Sequence, residues 1–169
     1  MLFGGLLLLE LPGCAVQPPS LPPDSFPLVE LISARLALAK EVARAKREAG
    51  LPVRDLARED VVVMRLAEQA YAAGLSPGAA LRLIRAQIEA SCLEQERWMK
   101  EWNNGGKMPS GEPPDLEGLR QQLDRISSRI LAEWAAVEGI PLPGATLKAR
   151  LVQDGYSVPA ATAAAAFAH

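Results

Sequence analysis

The chain has 169 residues, enough for one domain with a real core; 49% of them are hydrophobic but only 5% aromatic. Leu, Ala, Arg and Glu dominate, and Val and Ile are scattered instead of alternating, which favours helices over sheets. A formal net charge of −2 leaves no basic excess to neutralise phosphates, which argues against nucleic acid as a partner, although single cations inside a cleft can still hold a small anion.

The first residues, MLFGGLLLLELPGCA, carry an apolar stretch that ends in Leu11-Pro12-Gly13-Cys14. They resemble a short signal peptide finishing in a bacterial lipobox, whose cysteine becomes lipidated. A positive n-region is missing, Glu10 interrupts the apolar run, and the stretch is too short for a permanent transmembrane helix. Residues 1–14 are therefore read as a signal-like segment and 15–26 as a proline-rich tether. The expectation is an exported, periplasmic protein anchored to a membrane through Cys14, or a cytoplasmic one if the segment does not function.

From 27 to 49, Leu28, Leu31, Ile32, Leu36, Leu38 and Val42 recur at helical spacing, and Gly50 and Pro52 end the pattern. In LPVRDLARED, residues 51–60, Asp55 suits an N-cap and Glu59 the positive end of the next helix, which runs to about 73 before Gly74. Ser76-Pro77 opens a third helix reaching about 102. The run NNGGKMPSGEPPD, 103–115, is a surface loop. Asp115 caps a fourth helix over 116–138, stopped by Gly139 and Pro141, and a weaker helical piece covers 145–152. The tail 154–169 ends in alanines with little to bury. The fold expected is all-α: a helical bundle over 27–153 with three main helices plus a fourth after a Pro/Gly loop.

Two cysteines, Cys14 and Cys92, make no disulfide framework, and the single histidine is His169, so no structural metal site is expected. Cys92 reads as a small buried apolar residue, and Trp98, Trp102 and Trp134 as core or interface aromatics.

Arg35, Ala39, Val42 and Lys46 lie at i, i+4, i+7 and i+11, so two long cations flank a floor of small side chains on one helix face. Taken alone, they are solvated charges beside Lys40, Arg44 and Arg47. On the third helix Gln87, Ser91 and Gln95 form a polar stripe, which alone reads as a wet surface. The ordered set is more specific: R-x10-K, then GLPVRDLARE, then Q-x3-S-x3-Q resembles the all-helical chorismate mutases. The Trp102 region, the proline-containing loop and PPDLEGLR, closing on Arg120, resemble the secreted, gamma-class branch. The resemblance covers about residues 28–135.

The resemblance implies roles for eight residues. Arg35 grips a substrate carboxylate. Lys46 reaches the ether oxygen and a carboxylate. Arg58 is the arginine from the start of the second helix. Asp55 and Glu59 are its neighbours, the glutamate meeting the substrate hydroxyl. Ser91 sits near a carboxylate, Gln95 faces the ether oxygen, and Arg120 completes the site within one chain. The catalytic set is Arg35, Lys46, Arg58 and Gln95. The family rearranges chorismate to prephenate, towards phenylalanine and tyrosine, with no cofactor and no metal; a homodimer with each site inside one chain is expected. Two alternatives stand beside this: an isochorismate-pyruvate lyase of the same fold, and a non-catalytic helical lipoprotein that binds a partner.

Overall fold

The computed structural model describes residues 20–137 and 139–168. Cys14, the signal-like segment and residues 15–19 of the tether lie outside the described residues. Among the described residues every regular element is helical, and no helix is long and apolar enough to cross a membrane. A 3-10 turn, Pro23–Ser25, leads into α1 (Phe26–Ala37), α2 (Ala39–Glu48), α3 (Leu56–Ala72), α4 (Pro77–Asn103), α5 (Leu116–Ala136), α6 (Gly144–Gln153) and α7 (Val158–Ala164).

The first expected helix is thus two. Leu38 stays right-handed at φ −72° and ψ −15°, and its amide donates to the Arg35 carbonyl at 3.3 Å, a tightened 3-10 turn. Val42 N–H to Leu38 O, 3.0 Å, resumes the α pattern at once. No proline or glycine accounts for the bend. It separates the segment bearing Arg35 from the segment bearing Lys46.

Helix ends follow side-chain chemistry. Asp55 Oδ1 accepts from Arg58 N at 3.1 Å, and Glu59 reaches back to Asp55 N at 3.2 Å, tying both charged residues to the start of α3. Asp115 accepts from Glu117 N and Gly118 N, both at 3.0 Å, to start α5. A Cβ on Gly118 would lie 2.6 Å from the Asp115 carboxylate, so a side chain there would push the capping carboxylate out of its present position. After α2, Gly50 at φ +65° lets Leu51 N reach the Lys46 carbonyl at 2.8 Å, a Schellman closure.

Helix α4 is the hub: it packs against α1, α2, α3 and α7, while α5 closes on α1, α2 and α3. One core cluster joins α1, α3, α4, α5, α6 and the tail; a second, smaller one joins Val42, Ala45 and Leu119 between α2 and α5. The alanine tail corrects the expectation that it has little to bury. Ala160, Ala161 and Ala164 are fully buried, and Phe167 meets Trp134 edge-to-face at 5.0 Å. Alanine carries nothing beyond Cβ, so α7 can lie close against α4. Two polar contacts fix it there: Gln87 Nε2 donates to Ala164 O at 3.0 Å, and Ser157 N to Glu94 Oε2 at 3.2 Å.

Arg44, on the same helix as Lys40 and Arg47, does not face solvent. It is 6% exposed and its NH2 group donates to the carbonyls of Gly111 and Glu112 at 2.6 and 2.9 Å. A buried guanidinium on α2 therefore holds the Pro/Gly loop just before Asp115 starts α5.

Candidate functional site

A cleft enclosing about 700 Å³, solvent at its mouth included, opens between α1–α2, α3, α4 and α5. Its size falls in the range of small-molecule sites. All eight residues singled out from the sequence line it: Arg35, Lys46, Asp55, Arg58, Glu59, Ser91, Gln95 and Arg120. Its apolar walls draw on both core clusters, with Val62 and Ile88 from one and Val42, Leu116 and Leu123 from the other.

Four helices each supply one cation. Arg35 of α1 is 5% exposed, and burial lowers its pKa to about 10, so it remains charged at neutral pH. Its Nε–H donates to Ser127 Oγ at 3.0 Å and its NH1 to the Gln87 carbonyl at 2.5 Å. Among the described residues no carboxylate forms an ion pair with it, and Asp124 acts on it only from a distance. Lys46 of α2 donates from Nζ to the Val53 carbonyl at 2.5 Å. Its own carbonyl closes the turn after α2, so that turn pins the lysine at both ends. Burial pulls the Lys46 pKa below that of an exposed lysine, and Arg120 is among the groups that lower it further. Arg58 of α3 is half-buried; its backbone N–H bonds the Asp55 cap, while its guanidinium has no hydrogen-bond or ion-pair partner among the described residues. Arg120 of α5 has only a loose contact to Glu117, 3.5 Å.

The acids in the lining have internal duties. Asp55 caps α3, Asp124 pairs with Arg65, and Glu59 accepts from the Asp55 amide and, at 3.8 Å, from the Cys92 thiol. The cations keep unused N–H donors while the carboxylates are largely engaged. This leaves the cleft suited to an anion with more than one carboxylate.

From α4 come Ser91 and Gln95, 5% and 4% exposed, so the polar stripe that alone reads as a wet surface is buried. Gln95 Nε2 lies 3.1 Å from Ser91 Oγ, and Gln95 Oε1 has no partner. A hydroxyl donates as well as accepts. Turning the amide so that Oε1 faces Ser91 satisfies that oxygen and leaves both Nε2 hydrogens to spare.

Cys92 agrees with its sequence reading as a small buried residue. It is 5% exposed, and burial, reinforced by Glu59, pushes its thiol up to about 11, so it stays protonated. Trp102 and Trp134 are buried; Trp98 is half-buried, with Lys40 Nζ and the Arg97 guanidinium 4.0 and 4.1 Å from its ring centroid. Arg54 stays at the surface, bound to Glu89 and Glu96. Sequence reasoning missed Val53, Asp124 and Ser127. Ser127 had a usable signal, since Arg120, Asp124 and Ser127 lie at i, i+4 and i+7 on one face of α5. Val53 acts through its carbonyl, which no side-chain pattern reveals.

Residues 27–96 match the family model described as chorismate mutase type II. The chain is 32% identical over 105 residues to a secreted chorismate mutase of Yersinia pestis, covering 62% of this chain and 56% of that protein. It is 31% identical over 110 residues to a secreted chorismate mutase of Mycobacterium tuberculosis, covering 64% and 55%. The chain therefore spans little more than half the length of these curated relatives. Among solved structures, a chorismate mutase from Burkholderia thailandensis is 30% identical with a TM-score of 0.68, over 83% of this chain and 93% of that one.

Proposed function

Because the chain belongs to the type II chorismate mutase family, we propose that it rearranges chorismate to prephenate in the cleft between α1–α2, α3, α4 and α5. One observation carries the reading: four cations from four helices converge on one cleft with N–H donors left over. Chorismate is a dianion that must fold into a compact, chair-like shape before it reacts. Arg35, Arg58 and Arg120 suit its carboxylates, since a planar guanidinium makes charge-assisted, paired hydrogen bonds. Holding both ends removes conformational freedom before any bond changes.

In the rearrangement one C–O bond breaks while one C–C bond forms, and negative charge builds on the ether oxygen. Donors at that oxygen bind the transition state more tightly than the ground state, and that difference is the source of acceleration. Lys46 and the Gln95 amide are assigned this role. Lys46 gives one of its three N–H groups to Val53 and keeps two. Glu59 is assigned to the substrate hydroxyl and Ser91 to a carboxylate, with Asp55 holding the start of α3.

The isochorismate-pyruvate lyase alternative would use much of the same cationic lining. The purified protein is expected to convert chorismate, followed by loss of its ultraviolet absorbance, and to release no pyruvate from isochorismate. Pyruvate release without prephenate formation would reverse the assignment, and binding of either dianion without turnover would favour the non-catalytic module.

The reading extends to export, a homodimer with each site inside one chain, and lipidation of Cys14 with the proline-rich stretch as a spacer. Two relatives described as secreted support the export. Labelled fatty acid is expected to enter the protein in bacterial cells and to be lost in Cys14→Ser; equal labelling of both would remove the anchor.

A further inference from the structure

Arg35 stands between two spaces. In front is the cleft. Behind it a second, narrow space with room for about one water molecule is lined by Arg35, Gln87 and Ser127 together with leucines and isoleucines of α3, α4 and α5. Apolar walls cannot hold a cation. The Gln87 side chain could: it is 4% exposed and its Oε1 has no hydrogen-bond partner. A guanidinium free to turn would thus have an acceptor at its back.

We propose that Ser127 is a positioning residue whose hydroxyl keeps the Arg35 guanidinium turned to the cleft. Ser127 donates its only proton to the Leu123 carbonyl at 2.7 Å, so towards Arg35 it can only accept. The Nε–H bond to Ser127 and the NH1 bond to the Gln87 carbonyl commit two of the five guanidinium donors, on different edges of the plane. Two such anchors fix the rotation of the plane and leave three N–H groups for a carboxylate. Without the hydroxyl, Nε–H is a buried orphan and the ring of donors is free to swing towards Gln87 Oε1. The catalytic consequence rests on the chorismate reading; the clamp itself does not.

The test compares wild-type, Ser127→Ala and Ser127→Thr in the full chain. Alanine is the better helix former, so α5 is retained in Ser127→Ala. Threonine keeps a hydroxyl able to bond the carbonyl four residues back. The readout independent of activity is the ¹⁵N-detected Arg35 Nε–H resonance, assigned by its loss in Arg35→Ala. It is expected to be protected from exchange in wild-type and Ser127→Thr and to lose protection in Ser127→Ala. In Ser127→Ala, kcat/KM for chorismate is expected to fall about ten- to hundred-fold, the worth of a hydrogen bond to a charged group. Most of the fall should appear in KM, because a carboxylate grip acts in ground and transition states alike. A residue that only packs would lower Tm and leave the resonance and KM unchanged. Protection retained in Ser127→Ala, or an unchanged KM, overturns the proposal. If wild-type turned over no chorismate the functional reading would fail, and the resonance would still decide the clamp.

Discussion

Residues 27–96 and residues 116–168 build the cleft by different means. The first region carries seven of the eight residues singled out from the sequence, as long polar side chains at helical spacing, and matches the family model. The second supplies Arg120 and Ser127 and, through α7, a face of small side chains pressed against α4, with α6 packed on α7. Between its two anchors to the tail, at Gln87 and Glu94, α4 carries Ser91, and Gln95 follows directly. The chemistry is written in charges; the rigidity behind it is written in alanines.

The comparison breaks most readily at Phe167. Phe167→Ala is expected to destabilise the fold by about 3–5 kcal/mol, read from a denaturant midpoint. An unchanged midpoint would mean that the tail is not part of the core. Next is Gln95→Glu. A glutamate donates to the ether oxygen only when protonated, whereas an amide donates at every pH. The variant should approach wild-type rates at acid pH and lose about 10²–10³ in kcat towards pH 8, the cost of losing one such donor. A flat profile would contradict the role given to Gln95.

A smaller effect concerns Lys46 in the wild-type enzyme. Its charged form is the competent one and burial lowers its pKa. Activity should therefore hold through neutral pH and fall as pH rises, with the alkaline limb of kcat/KM below the ordinary lysine range. A bound dianion favours the ammonium, so the limb on kcat should lie higher than that on kcat/KM. Coincident limbs would mean that the substrate does not meet Lys46.

The all-α class and the caps at Asp55, Ser76 and Asp115 were legible because each depends on side chains at fixed spacing, whereas the clustering of the charged residues was legible only through the resemblance to the chorismate mutases. Arg44 was not, since a cation beside Arg47 and Lys40 looks solvated until the loop carbonyls of Gly111 and Glu112 fold over it. The stripe from Gln87 to Gln95, taken alone, looks equally wet, and only the resemblance moved Ser91 and Gln95 into the site. Burial of polar residues depends on what packs opposite, and here that is partly an alanine run whose sequence has no amphipathic pattern to read. Val53 enters through a carbonyl and the bend at Leu38 through backbone angles, neither of which composition encodes.

The central claim is that the converging cations accelerate a rearrangement of chorismate, with Lys46 acting on the transition state. Prephenate formation by the purified full chain, beside its Lys46→Ala variant, tests it most directly. The account predicts turnover by the wild-type and a fall in kcat of about 10²–10³ in the variant, with a smaller change in KM. Equal turnover by the two proteins, or none by the wild-type, would contradict it.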